Sequence, residues 1–93
     1  MIVSFRDSET KGIFEGKRSK QLPPSLHRVA MRKLRVLHAT NSLNDLRVPP
    51  GNRLEKLSGT WSAYHSIRIN DQWRIRFRWE GGNAHDAEII DYH

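Results

Sequence analysis

Residues 72–79 read Gln-Trp-Arg-Ile-Arg-Phe-Arg-Trp, a strict alternation of apolar and polar side chains. Successive side chains of a β-strand point to opposite faces, so this segment predicts a strand with Trp73, Ile75, Phe77 and Trp79 on a buried side. Gln72, Arg74, Arg76 and Arg78 share the other side, with guanidiniums spaced by roughly 7 Å. That spacing is close to the separation of phosphates along an extended nucleic-acid strand. Three cations in line repel one another unless anions compensate them. Either a polyanionic ligand lies across the row, or the strand shows an ordinary solvated face with Glu88 or Asp86 opposite. The segment by itself leaves both open.

The wider composition favours the first. The 93 residues carry 16 Lys and Arg against 10 Asp and Glu, a formal net charge of +6. Eleven of those 16 cations are Arg, the side chain suited to bidentate phosphate contact and to stacking on bases. A nucleic acid, an anionic membrane surface or an acidic protein are the partners such a balance suits. The length allows one domain, residues 1–93, with a single modest core. With no cysteine, disulfides, thiolate chemistry and Cys-based zinc sites are excluded. The opening Met-Ile-Val-Ser-Phe lacks the apolar run of a signal peptide, and no stretch is long enough to span a bilayer, so the expected compartment is the cytoplasm.

Along the chain, residues 2–6 alternate and predict a first strand. Asp7 or Ser8 can cap a short helix, limited by Gly12 and Gly16. The polar, basic run at residues 16–21 reads as a linker. Pro23 and Pro24 introduce a helix over residues 25–39, whose core face is Leu26, Ala30, Leu34 and Leu37 and whose outer face carries Arg28, Arg32 and Arg35. Residues 41–52 form a turn-rich connector in which Val48-Pro49-Pro50-Gly51 argues against any regular element. A short strand is expected within residues 53–57 and another over 64–69. Asn70-Asp71 is a two-residue turn candidate leading into the Arg strand. Residues 80–83, Glu-Gly-Gly-Asn, form a second hairpin turn, and residues 87–92 the last strand. The fold class is α+β: two N-terminal helices packed on a small antiparallel sheet in the order β-α-α-β-β-β.

Metal-free RNA cleavage needs a base for the 2′-hydroxyl proton, cations for the crowded phosphate and an acid for the departing 5′-oxygen. The arginines meet the second need. Asp91, Tyr92 and His93 are candidates for the others: His93 titrates near neutrality, and Asp91 can orient it or act as the base itself. A terminal His is also often just a frayed, solvated side chain. His27, His38 and His65 read as surface or packing residues. His85, Asp86 and Glu88 have no second cluster at metal-site spacing, so no metal site is expected, nor any other cofactor. There is no Gly-rich phosphate loop and no nucleophile elbow.

The run Ser66-Ile67-Arg68-Ile69-Asn70-Asp71-Gln72-Trp73-Arg74-Ile75 and the ending Ala87-Glu88-Ile89-Ile90-Asp91-Tyr92-His93 resemble the HigB toxin family, also called the plasmid-maintenance killer family, within the RelE/ParE superfamily. The likeness extends to the opening strand and to Gly51-Asn52-Arg53-Leu54-Glu55. It implies a ribosome-dependent, metal-independent mRNA endonuclease acting in the A site, silenced by a HigA-like helix-turn-helix antitoxin. Carried to matching positions, it implies Asp91, Tyr92, His93, Arg68 and Arg74 as the catalytic group. Arg53, Lys56, Arg76 and Arg78 are the expected RNA- and phosphate-binding cations. The loop at residues 59–63, Gly-Thr-Trp-Ser-Ala, departs from the family's Gly-Asp-Arg-like stretch. Two readings stand beside nuclease action: a non-nucleolytic toxin that binds a protein such as gyrase, and a plain RNA-binding module stacking bases on Trp61 or Tyr64.

Overall fold

A computed structural model describes residues 1–91 of the chain. Asp7 ends the first extended segment and caps α1, Ser8–Phe14, its carboxylate accepting from the Thr10 amide at 2.6 Å. Gly16 follows at φ +86, a left-handed position that terminates the turn. α2, Pro24–Ala39, opens with proline at its first position, where a missing N–H leaves no bond unmade. Leu26, Ala30, Leu34 and Leu37 are buried as the period requires, and Arg28, Arg32 and Arg35 are exposed.

The four strands are β1 (Glu55–Lys56), β2 (Tyr64–Arg68), β3 (Trp73–Glu80) and β4 (Asn83–Asp91), an antiparallel sheet in the order β1-β2-β3-β4. Ile67 and Ile75, Phe77 and Ile89 form its buried side and meet the leucines of α2 in one core. We call this the helix face. The register places Tyr64, Ser66, Arg68, Arg74, Arg76, Arg78, Glu88 and Ile90 on the opposite, open face. Gly81 and Gly82 both take positive φ, +61 and +78, giving the β3–β4 hairpin the primed turn that matches strand twist.

Several boundaries differ from expectation for identifiable reasons. Residues 2–6 do not make a continuous strand. They run parallel to β4 with bridges only at Ile2–Ala84 and Phe5–Ala87. Between these, β4 bulges: Arg76 pairs with Glu88 but Arg78 with His85, and Asp86 has φ +54. The Ser4 hydroxyl accepts from the Asp86 amide at 2.8 Å, replacing the missing ladder bond. The 41–52 connector holds two 3₁₀ turns, Leu43–Arg47 and Pro50–Asn52, because proline at a first turn is compatible with one short turn. The strand expected over 53–57 shrinks to two residues, flanked by Arg53 in the left-handed region and Gly59 at φ +66. The β2–β3 connection is longer than two residues. The last pair is Arg68–Arg74, and the Asn70 side chain folds the loop by accepting from the amides of Gln72 and Trp73, both at 2.9 Å. β4 starts at the hairpin, four residues earlier than expected.

Candidate functional site

The alternating arginines of β3 all reach the open face, but they are not a bare row. Arg74 is buried, 5% exposed. Its Nε donates to the Ser66 hydroxyl at 2.8 Å, and its Nη2 donates to the carbonyls of Ser66 (3.2 Å) and Arg53. Glu55 lies 4.0 Å from Nη1. Arg76 donates from two nitrogens to one Glu88 oxygen, at 3.2 and 2.5 Å. Its guanidinium carbon lies 4.0 Å from the centroid of the Trp61 ring, a cation–π contact. Trp61 meets Tyr64 edge-on at 4.8 Å, and Arg6 shares Glu88 from 3.7 Å. Arg78 pairs with Glu80 and lies 3.8 Å from Asp86. Glu88 and Asp86 thus compensate two of the three cations, as an ordinary charged sheet face would.

At the opposite end of the face, Arg53, Glu55, Arg68, Asn70, Asp71 and Arg74 line one polar pocket of about 270 Å³. Three arginines therefore line it together. Arg53 reaches it from a left-handed backbone, φ 44 and ψ 57, uncommon for a side-chain-bearing residue and frequent where a site holds its backbone under constraint. The corner is pinned from both sides: the Arg53 carbonyl accepts from Arg74, and the neighbouring Asn52, fully buried, donates to the carbonyls of Leu46 and Val48 and accepts from Lys33. Burial first, then the charges of Arg32 and Arg68, lower the pKa of Lys33 below the usual lysine range. Arg68 pairs with Asp71, whose carboxylate is almost wholly exposed.

The expected cations divide between regions. Arg53, Arg68 and Arg74 come together, while Arg76 and Arg78 lie toward the hairpin with their carboxylates. Lys56 is on the other side of the sheet: Glu55 pairs with Ser66 toward the open face, so Lys56, paired with His65, points to the helix face. It lines a separate cleft with Arg47 and His65. Asp91 is not among the described residues that line the arginine pocket. It pairs in register with Trp73, a helix-face residue, and accepts from Gln72 Nε2 at 3.1 Å. The expected site residues Tyr92 and His93 lie outside the described residues. The remaining histidines pack: His38 Nδ1 accepts from the Ile2 amide at 3.2 Å, and His27 Nε2 lies 3.0 Å from the Leu22 carbonyl. Among the described residues no three His, Asp or Glu side chains cluster as metal ligands, and no helix is long and apolar enough to cross a membrane.

Ser66 is the component that sequence reading missed. Its signal was present: it lies on the same strand face as Arg68, where a diagonal cross-strand neighbour can reach it. Asp71, expected in the turn, and Gln72, expected on the strand's polar face, are partners of Arg68 and Asp91.

Residues 3–93 match the family described as the RelE-like toxin of type II toxin-antitoxin system HigB. The chain is 40% identical over 85 residues to Toxin HigB-1 of Vibrio cholerae serotype O1, covering 90% of each protein. It is 34% identical over 86 residues to an uncharacterized protein of Haemophilus influenzae, covering 91% of this chain and 85% of that one. With an α+β architecture of the kind RelE-like toxins adopt, this chain belongs to the HigB family of type II toxin-antitoxin toxins.

Proposed function

We propose that this toxin is a metal-independent endoribonuclease that cuts mRNA in the ribosomal A site. The observation that carries the reading is the polar pocket on the open face where Arg53, Arg68 and Arg74 meet. Fixed guanidiniums suit a phosphate whose charge grows as a 2′-oxygen attacks it. The 2′-hydroxyl gives up its proton, its oxygen bonds to phosphorus, the bond to the 5′-oxygen breaks, and that oxygen takes a proton. Tyr92 and His93 are the proton-transfer groups of this proposal. Asp91, tethered to Gln72 at the sheet's end, orients them. Arg76 and Arg78 contact the RNA strand beyond the cut, exchanging their carboxylates for phosphates. Lys56 binds RNA away from the scissile bond, from the other side of the sheet.

The natural partner is a HigA-like helix-turn-helix antitoxin. An acidic segment of it would neutralise part of the +6 surface. The site of action is the translating ribosome in the cytoplasm.

The test is to map mRNA 5′ ends on translating ribosomes with the intact chain, Arg68→Ala and His93→Ala, beside a DNA supercoiling assay. Each substitution should slow cleavage by about 100-fold or more. Cleavage at the unaltered rate by both variants, or loss of supercoiling without mRNA cuts, would overturn the assignment. The second outcome would favour a gyrase-type protein target.

A further inference from the structure

We propose that the cleft between the 3₁₀ turn Leu43–Arg47 and β1 is a second binding site, which takes a phosphate-bearing nucleotide unit. It lies on the helix side of the sheet edge and is lined by Leu43, Asn44, Arg47, Leu54, Lys56 and His65, with a volume of about 360 Å³. That volume falls in the range of small-ligand sites. The arginine pocket opens on the other face, because adjacent residues of β1 point opposite ways: Glu55 toward Arg74, Lys56 toward His65.

Three features define the ligand. The rim is cationic: among the described residues no carboxylate lines the cleft and no ion pair involves Arg47 or Lys56. Arg47 is held in place by its Nε donating to Asn44 Oδ1 at 3.0 Å. Leu43 and Leu54, both packed against the core, give the cleft an apolar floor suited to a base or ribose. His65 stacks on Phe77, centroids 6.2 Å apart and planes 21° from parallel, and its Nδ1 is buried without a partner among the described residues. Burial, then the charges of Lys56 and Arg47, lower its pKa below the usual histidine range. Both cations share the cleft with the ring and oppose a positive charge on it, and a phosphate between them would relieve that repulsion. The unit is either a free nucleotide or one link of an RNA strand; both present the same phosphate and base. The site does not depend on the cleavage chemistry proposed above.

The experiment follows the His65 imidazole by NMR in the full chain, assigned with His65→Gln. Ligands are adenosine 5′-monophosphate, inorganic phosphate and a 2′-O-methyl tetranucleotide that cannot be cut. A bound phosphate stabilises the imidazolium, so a nucleotide ligand should raise the His65 pKa saturably. The pair Arg47→Gln and Lys56→Gln should remove that rise and weaken tetranucleotide binding about tenfold at low salt. A response to the mononucleotide identifies a free-nucleotide site, and a response to the tetranucleotide alone identifies an RNA contact. Either supports the proposal. Equal affinity for inorganic phosphate, no shift with any ligand, or unchanged binding by the double variant would overturn it. Arg68→Ala should keep this binding while losing cleavage, so failure of one proposal is distinguishable from failure of the other.

Discussion

Arg74 and Arg78 stand four residues apart on the same face of β3, yet they meet different chemistry. Around Arg74 the acceptors whose geometry is described are mostly neutral: two backbone carbonyls and a hydroxyl, with Glu55 at the margin. Around Arg78 they are carboxylates, Glu80 and Asp86. The same contrast holds for the two ends of the face. The Arg74 end sets Arg53, Arg68 and Arg74 against Glu55 and Asp71; the hairpin end sets Arg6, Arg76 and Arg78 against Glu80, Asp86 and Glu88. A carboxylate at contact distance neutralises a guanidinium locally, whereas a carbonyl or hydroxyl does not. The difference teaches that one regular row of arginines can line a polar pocket at one end and form an ordinary ion-pair network at the other.

Substitutions can break this contrast. Arg74→Ala should have the largest effect on stability, about 2–4 kcal/mol in urea unfolding, because it strands the buried Ser66 carbonyl and hydroxyl and the partly buried Arg53 carbonyl. Arg74→Lys should recover less than half of that, since an ammonium cannot reproduce the fork. A loss below about 1 kcal/mol would mean that the Arg53–Ser66 cradle is not structural.

Glu88→Ala should come next, at about 1 kcal/mol, by releasing the half-buried Arg76 and its neighbour Arg6. It should also sharpen the comparison by raising affinity for single-stranded RNA and steepening its salt dependence, read by fluorescence titration. Unchanged RNA binding would show that the hairpin end takes no phosphate even when its carboxylate is removed. Arg78→Ala should change stability least, within about 0.5 kcal/mol, because its pairs are solvent-screened. A larger loss would place this end on the same footing as Arg74.

The fold was largely legible because its signals are short-range. The α2 stripe, the Asp7 cap, the Gly81-Gly82 turn and the β3 alternation each follow from backbone geometry within a few residues. Boundaries failed where a side chain substituted for backbone pairing. Ser4 bridging the β4 bulge and Asn70 folding the β2–β3 loop are local acts of hydrogen bonding that hydrophobic period does not encode. Of the candidate site, alternation put Arg74 on the open face, where it lines a pocket with Arg68 and Arg53; Lys56 points to the other face because a one-residue step reverses a strand face, and Asp91 pairs in register with Trp73.

By itself, the amino-acid order determined which side chains alternate, which helix face is apolar and how much positive charge the surface must carry. Only the tertiary structure decided which guanidinium meets a carbonyl and which meets a carboxylate. Alternation is a property of the covalent chain, but partners are chosen by strand register: Arg53 and Arg74, 21 residues apart, become neighbours only once β1, β2 and β3 are paired.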